Sequence, residues 1–161
     1  MQKDIKLGAV MLLCIFAGLT ACAQDFDERS AKTIFDEHRM NFEYAANFMM
    51  NHSDVDRFNL KEGGLEEQCQ AEQDLTDCLK NLLALKKAGV REIVAFRKYA
   101  PMQEVISIRF ICASFGLSLG GKLMTIEYVV DASVLPFYES KGSVLNILPP
   151  YWFSVLIDET R

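Results

Sequence analysis

Histidine is nearly missing from this sequence: only His38 and His52 occur, both in the first third of the 161 residues. That scarcity leaves no histidine-rich metal cluster to assemble, and no histidine downstream of a candidate serine nucleophile. Positive charge is also short. The 17 Lys and Arg stand against 22 Asp and Glu, a net charge of −5, which argues against a nucleic-acid binder and suits a soluble body or one that docks on a basic partner. The acidic excess is spread along the chain, as plain solubility would also produce. Leu7 to Ala21 carries no charge, but its 15 residues fall short of the about 20 that a membrane-crossing helix needs. There is no internal repeat and no sign of a second domain.

That apolar stretch follows Lys3 and Lys6 and ends in Leu19-Thr20-Ala21-Cys22. A basic start, a short apolar segment and a small-residue cleavage site form the signal-peptide pattern, and the four final residues resemble a bacterial lipobox. The resemblance implies that residues 1–21 are a lipoprotein signal peptide and that the Cys22 thiol receives the lipid. An uncleaved N-terminal anchor, stopped by Asp25, Asp27 and Glu28, is the competing reading. One acyl chain holds a protein only reversibly, so the two or three chains of such a lipoprotein are what make the attachment stable. Ala23 stands where the family's inner-membrane retention signal has aspartate, which implies an outer-membrane protein facing the periplasm. Cleavage would leave 140 residues with 15 basic and 21 acidic side chains, one domain of ordinary size.

Besides the anchor, that mature chain holds Cys69, Cys78 and Cys112. An oxidising periplasm permits disulfides, but three is an odd number. On one unbroken helix, Cys69 and Cys78 would lie on opposite faces and about 13.5 Å apart along the axis, whereas a disulfide needs α-carbons within about 7 Å. A Cys69–Cys78 bond therefore requires a break at Gln70 to Asp74. Cys112 falls on an apolar strand face and reads as a buried core thiol.

Residues 22–30 read as a polar tether. Ile34, Phe35, His38, Phe42, Ala45, Phe48 and Met49 then recur at three- and four-residue spacing, which predicts an amphipathic helix from about Asp27 to Asn51. His38 lies on its apolar side, where a lone histidine is usually a hydrogen-bonded core residue. Asn51 to Gly64 reads as a loop; Asp54-Val55-Asp56 does not make a calcium loop, because Phe58 and Leu65 occupy positions that need oxygen ligands. Leu75, Cys78, Leu79, Leu82 and Leu85 predict a second helix stopped by Gly89, with Lys86 and Lys87 in its last turn and Asp74 as a candidate cap.

Beyond Gly89 the period changes to two. Val90 to Tyr99, mostly apolar and ended by Pro101, reads as a strand, as do Val144 to Leu148 and Tyr151 to Ile157 on either side of Pro149-Pro150, and the alternation in Val105 to Ala113 and Lys122 to Val130 marks half-buried antiparallel strands. Helices first and strands after them predict an α+β domain over residues 31–161, with two N-terminal helices packed on a four- to five-stranded, mostly antiparallel sheet.

Two catalytic look-alikes overlap in the loop at Ser114 to Gly121. Gly116-Leu117-Ser118-Leu119-Gly120 matches the nucleophile elbow G-x-S-x-G, yet a strand-like segment follows it where that motif needs a helix. Gly116 to Lys122 matches the core of a phosphate-binding loop, but Leu123 holds the magnesium-ligand position. Turning a hairpin explains these glycines better. Phe115, Leu117 and Leu119 interleave with them, and either fold back on the sheet or form a contact patch. Tyr138, Tyr151 and Trp152 carry the same two readings, core or interface hot spot.

The mature chain resembles a group of small exported bacterial proteins, some of which look like immunity proteins of secretion-system effectors. The resemblance rests on Phe35-Asp36-Glu37-His38-Arg39 with Phe42, the leucine-rich Leu82 to Gly89, the strand and Gly-Leu-Ser turn of Ile108 to Ser118, and the closing Tyr151-Trp152-Phe153. Lys122 to Val130 departs from the pattern, lacking the glycine usual after that turn. The resemblance implies association rather than reaction, with no catalytic residue, cofactor or metal to carry over. The expected role is a lipid-anchored periplasmic binding protein that neutralises an effector such as a lipase, with Phe115, Leu117, Leu119 and Trp152 as candidate contacts. The alternative is a scaffold lipoprotein whose partner belongs to the envelope or secretion machinery.

Overall fold

A computed structural model describes residues 28–61, 64–70, 75–98, 104–115, 122–148 and 150–158. Alternating side chains make the strands β1 (Arg57–Asn59), β2 (Glu92–Arg97), β3 (Val105–Phe115), β4 (Lys122–Val129), β5 (Gly142–Leu148) and β6 (Trp152–Asp158). They form one sheet in the order β1-β2-β3-β4-β6-β5, every neighbouring pair antiparallel. The α+β class read from the sequence is the one observed: five long strands, extended by the three-residue edge strand β1. That edge strand lies in the expected loop at 51–64. It carries one inward residue, the fully buried Phe58, too little to show a period of two.

The first face of the sheet is apolar because β2 contributes Ile93 and Ala95, β3 Ile108, Phe110 and Cys112, β4 Met124 and Ile126, and β6 Trp152. Helix α1 (Glu28–Asn51) lays Phe35, Phe42, Ala45, Ala46 and Met49 on it. The rings interlock at contact distance: Phe35 to Trp152 at 4.8 Å, Phe42 to Phe110 at 4.9 Å and Phe110 to Trp152 at 5.8 Å between centroids. Such pairs add roughly 0.5–1.5 kcal/mol each beyond their buried area. His38, expected in the core, is half-buried at a kink in α1, with φ −119° and ψ 19° between helical neighbours.

Two loops are tied down by capping. Arg97 donates from Nη2 to the carbonyls of Met49 (2.6 Å) and His52 (3.0 Å) and from Nε to Asp56 (2.8 Å), so a β2 side chain closes the end of α1 and meets the carbonyl end of the helix dipole. Helix α3 (Leu75–Lys87) ends as its sequence predicts. Gly89 adopts φ 93°, its N–H donates to Lys86 and that of Val90 donates to Leu85, the Schellman pattern that favours glycine.

Between the one-turn helix α2 (Leu65–Gln68) and α3 the helical path breaks, and Cys69 and Cys78 form a disulfide across the break with α-carbons 5.9 Å apart. The two cysteines thus do not share one unbroken helix, which is the condition their spacing set for the bond. Cys112 is a buried free thiol. Burial pushes it up to about 12, which makes it inert at neutral pH.

The second face of the sheet is partly covered as well. A 3₁₀ turn (Ala132–Val134) and helix α4 (Leu135–Lys141) precede β5, and Tyr138, Val134 and Leu135 pack with Val129, Phe153, Val155 and Ile157 into a second apolar cluster. At seven residues, α4 is too short for a helical period to show; Asp131 caps the turn at Ser133 and Pro136 stands in the helix's first turn. At Gly142 the chain passes directly from α4 into β5, and a Cβ there would lie 1.8 Å from the Leu156 carbonyl oxygen, so only glycine fits.

Reducing the disulfide, or replacing Cys69 and Cys78 by serine, is expected to lower stability by about 2–3 kcal/mol through the freed loop. Urea unfolding with and without reductant would measure it. Trp152→Ala is expected to cost about 3–5 kcal/mol in the same assay, and a loss below 1 kcal/mol would remove Trp152 from the core.

Candidate functional site

Alternation in β3 and β4 puts Ser107, Arg109, Thr125 and Glu127 on the second face of the sheet, and the register pairs Arg109 with Glu127. Polar strand residues on that side would ordinarily be solvated. Here α4 lies over them, and Glu127 is 0% exposed. Arg109 Nε donates to Glu127 Oε1 at 2.5 Å, and Thr125 Oγ1 donates to the same oxygen at 2.9 Å. The Tyr138 hydroxyl donates to Oε2 at 3.3 Å and is 3.1 Å from Ser107 Oγ. One hydroxyl from α4 is thus held by groups from β3 and β4.

Burial pushes the Glu127 carboxyl above the ordinary carboxylate range, with Arg109 pulling against it. The Tyr138 phenol is raised as well, by burial and then by Glu127. A general base must reach its proton directly or through one water. Glu127 is enclosed, and both its oxygens already accept from side chains. The cluster acts as a clamp that fastens α4 to the sheet.

The clamp carries an aromatic ledge. The Arg109 guanidinium lies 4.9 Å from the centre of the Phe96 ring and 5.4 Å from that of Tyr138, and Phe137 meets Tyr138 at 5.9 Å. Phe96 and Phe137 are exposed, at 38% and 58%. Phe96, Arg109, Tyr138 and Phe137 therefore form a continuous row in which the inner two side chains are held and the outer two rings face water. The sequence reading missed Phe96 and Phe137. Phe96 sits in an apolar run that looks wholly buried, and Phe137 belongs to the unread helix α4; Asp131 followed by Pro136 is the signal that could have found it.

The candidates named from the sequence do not form one site. Trp152 is 4% exposed; as a contact residue it is corrected to a core residue, its ring held by Phe35, Phe42, Phe110 and Tyr128. Tyr138 is likewise buried, whereas Tyr151 is half-exposed. Phe115 ends β3 opposite Lys122. Cys22, Leu117 and Leu119 lie outside the described residues, as do the elbow-like and phosphate-loop-like glycines. Among the described residues no group of three or more His, Cys, Asp and Glu is placed to hold a metal ion.

Comparison of the chain with protein-family models, with curated proteins and with solved structures found no match.

Glu127→Gln strands the Arg109 side chain, 16% exposed, and is expected to cost about 3 kcal/mol. Replacing the pair together, Arg109→Met with Glu127→Leu, is expected to cost less than the sum of the single losses; additive losses in urea unfolding would refute a coupled clamp. Folded Glu127 holds its proton more tightly than the unfolded chain does. Its contribution to stability therefore falls as pH rises from the ordinary carboxylate value to the raised folded value and is flat above it. That slope is expected to vanish in Glu127→Gln.

Proposed function

We propose that this chain is a lipid-anchored envelope protein that works by binding another protein, and that its partner is an exported effector toxin that it occludes. The observation that carries the binding part is the ledge of Phe96 and Phe137 mounted on the Arg109–Glu127–Tyr138 clamp. Aromatic rings and arginine dominate interface hot spots. Rings held by a pre-formed support lose little freedom on association, so more of the contact energy appears as affinity.

Three further features fit this reading. The Cys69–Cys78 disulfide suits an oxidising compartment. No helix among the described residues is long and apolar enough to cross a membrane, and the lipobox-like Leu19-Thr20-Ala21-Cys22 would supply a lipid anchor. The excess of 21 acidic over 15 basic side chains in residues 22–161 would steer a basic partner toward the domain. Occlusion requires no reaction, so the protein would serve as an inhibitor rather than an enzyme, facing the periplasm from the outer membrane.

Cys22→Ser is expected to move the protein from the membrane fraction to the soluble periplasmic fraction; unchanged fractionation would remove the lipid anchor. The released protein is expected to capture an exported toxin from cells carrying its native neighbours. Phe96→Ser with Phe137→Ser should weaken that complex by about 30-fold or more without loss of folding. Capture of resident envelope machinery instead would replace the toxin reading with the scaffold one.

A further inference from the structure

The opposite side of the sheet carries a second surface feature, independent of the ledge. Positions 39, 43, 46 and 47 fall on one side of α1, and together with the ends of β4 and β6 they line an open cleft of about 330 Å³. One wall is aromatic. Tyr128 pairs with Trp152 across β4 and β6, the two rings 4.9 Å apart, and Tyr151 meets Tyr128 at 5.6 Å with its plane tilted by 45°. The Tyr151 carbonyl accepts the Val129 N–H at 2.8 Å, and the Phe35, Phe42 and Phe110 rings contact Trp152 from the core. This wall is built before any ligand arrives.

The facing wall is polar. Arg39 Nε donates to Glu43 Oε1 at 2.7 Å, which leaves the pair electrically balanced, with further guanidinium N–H donors and a second carboxylate oxygen. Exposed Asn47 lines the same cleft, one helical turn beyond Glu43. Its amide both donates and accepts.

These two walls select a ligand by its chemistry. A phosphate or carboxylate would meet Glu43 and compete with it for Arg39, and an ammonium group would meet Arg39. A wholly apolar ligand would strip water from the ion pair without replacing its hydrogen bonds. A pyranose ring avoids all three costs: its C–H face lies on an aromatic ring, while its hydroxyls both donate and accept. The volume, at the lower end of the roughly 300–1,000 Å³ of small-molecule sites, suits a ring or two rather than a long chain. We propose that the cleft between α1 and the Tyr151–Trp152 turn is a binding site for a neutral saccharide, with Tyr151 as stacking platform and Arg39, Glu43 and Asn47 as hydroxyl partners.

Trp152 is the only tryptophan in the chain, so its fluorescence reports on this cleft directly. The full-length protein, in a detergent without a sugar headgroup, would be titrated with glucose, N-acetylglucosamine and soluble oligomers of each, and saturation-transfer NMR on the same sugars would serve as a second readout. A dissociation constant between about 10 µM and 1 mM is expected for at least one sugar. Tyr151→Ala and Asn47→Ala should each weaken it by about 10-fold or more, while Leu83→Ala, on the exposed side of α3 and outside the cleft, leaves it unchanged. Tighter binding of oligomers than of single sugars would identify a glycan strand as the source, and equal binding a free sugar. No response in either readout up to about 50 mM sugar, binding of inorganic phosphate or tetramethylammonium in place of sugars, or an unchanged affinity in Tyr151→Ala would each overturn the proposal.

Discussion

The Trp152 ring is wedged between α1 and the sheet, and most of the architecture can be traced outward from that contact. It touches Phe35 and Phe42 from the helix, Phe110 from β3 and Tyr128 from β4. One side chain from the last strand thereby joins elements from the start, middle and end of the chain. Large aromatics concentrate buried area and restrict how their neighbours can pack, so the position of α1 on the sheet follows from the seating of this ring. The register of β6 against β4 places Trp152 opposite Tyr128, and a slip by one residue would turn Trp152 to the other face.

The second face solves a different problem. A six-stranded sheet with helices on one side still presents its other side to water, and β4 and β6 put Val129, Phe153, Val155 and Ile157 there. The short α4 covers that half, and in doing so it buries Glu127. A buried carboxylate is tolerated only when its charge and hydrogen bonds are matched, which Arg109, Thr125 and Tyr138 provide. The clamp also orients the row running from Phe96 to Phe137, so covering the sheet and displaying the ledge are consequences of one arrangement.

Legibility in the sequence differed sharply between these two faces. The first face was written in local periods: Phe35, Phe42 and Ala45 at helical spacing, Ile108, Phe110 and Cys112 at strand spacing. Gly89 marked its helix end through a backbone conformation that glycine favours, whereas for Cys69 and Cys78 helix geometry gave only a condition, that a bond needs a break between them, and the fold supplied the bond. Elements too short to show a period, β1 and α4, were not readable. Nor was the fate of Thr125 and Glu127, since an alternating strand does not say what lies over its polar side.

By itself, the sequence determined what depends on neighbours a few residues away: the two long helices, the five long strands and their α+β order. Tertiary structure alone decided which of the C-terminal aromatics Tyr138, Tyr151 and Trp152 are core and which are surface. Trp152 and Tyr151 are adjacent in the chain, yet one is 4% and the other 47% exposed. Successive residues at a strand's entry point in different directions, and burial depends on what the rest of the fold brings against each side. The same reason governs Arg109 and Glu127, 18 residues apart, whose pairing is set by strand register and whose burial is set by a helix that neither residue's local sequence announces.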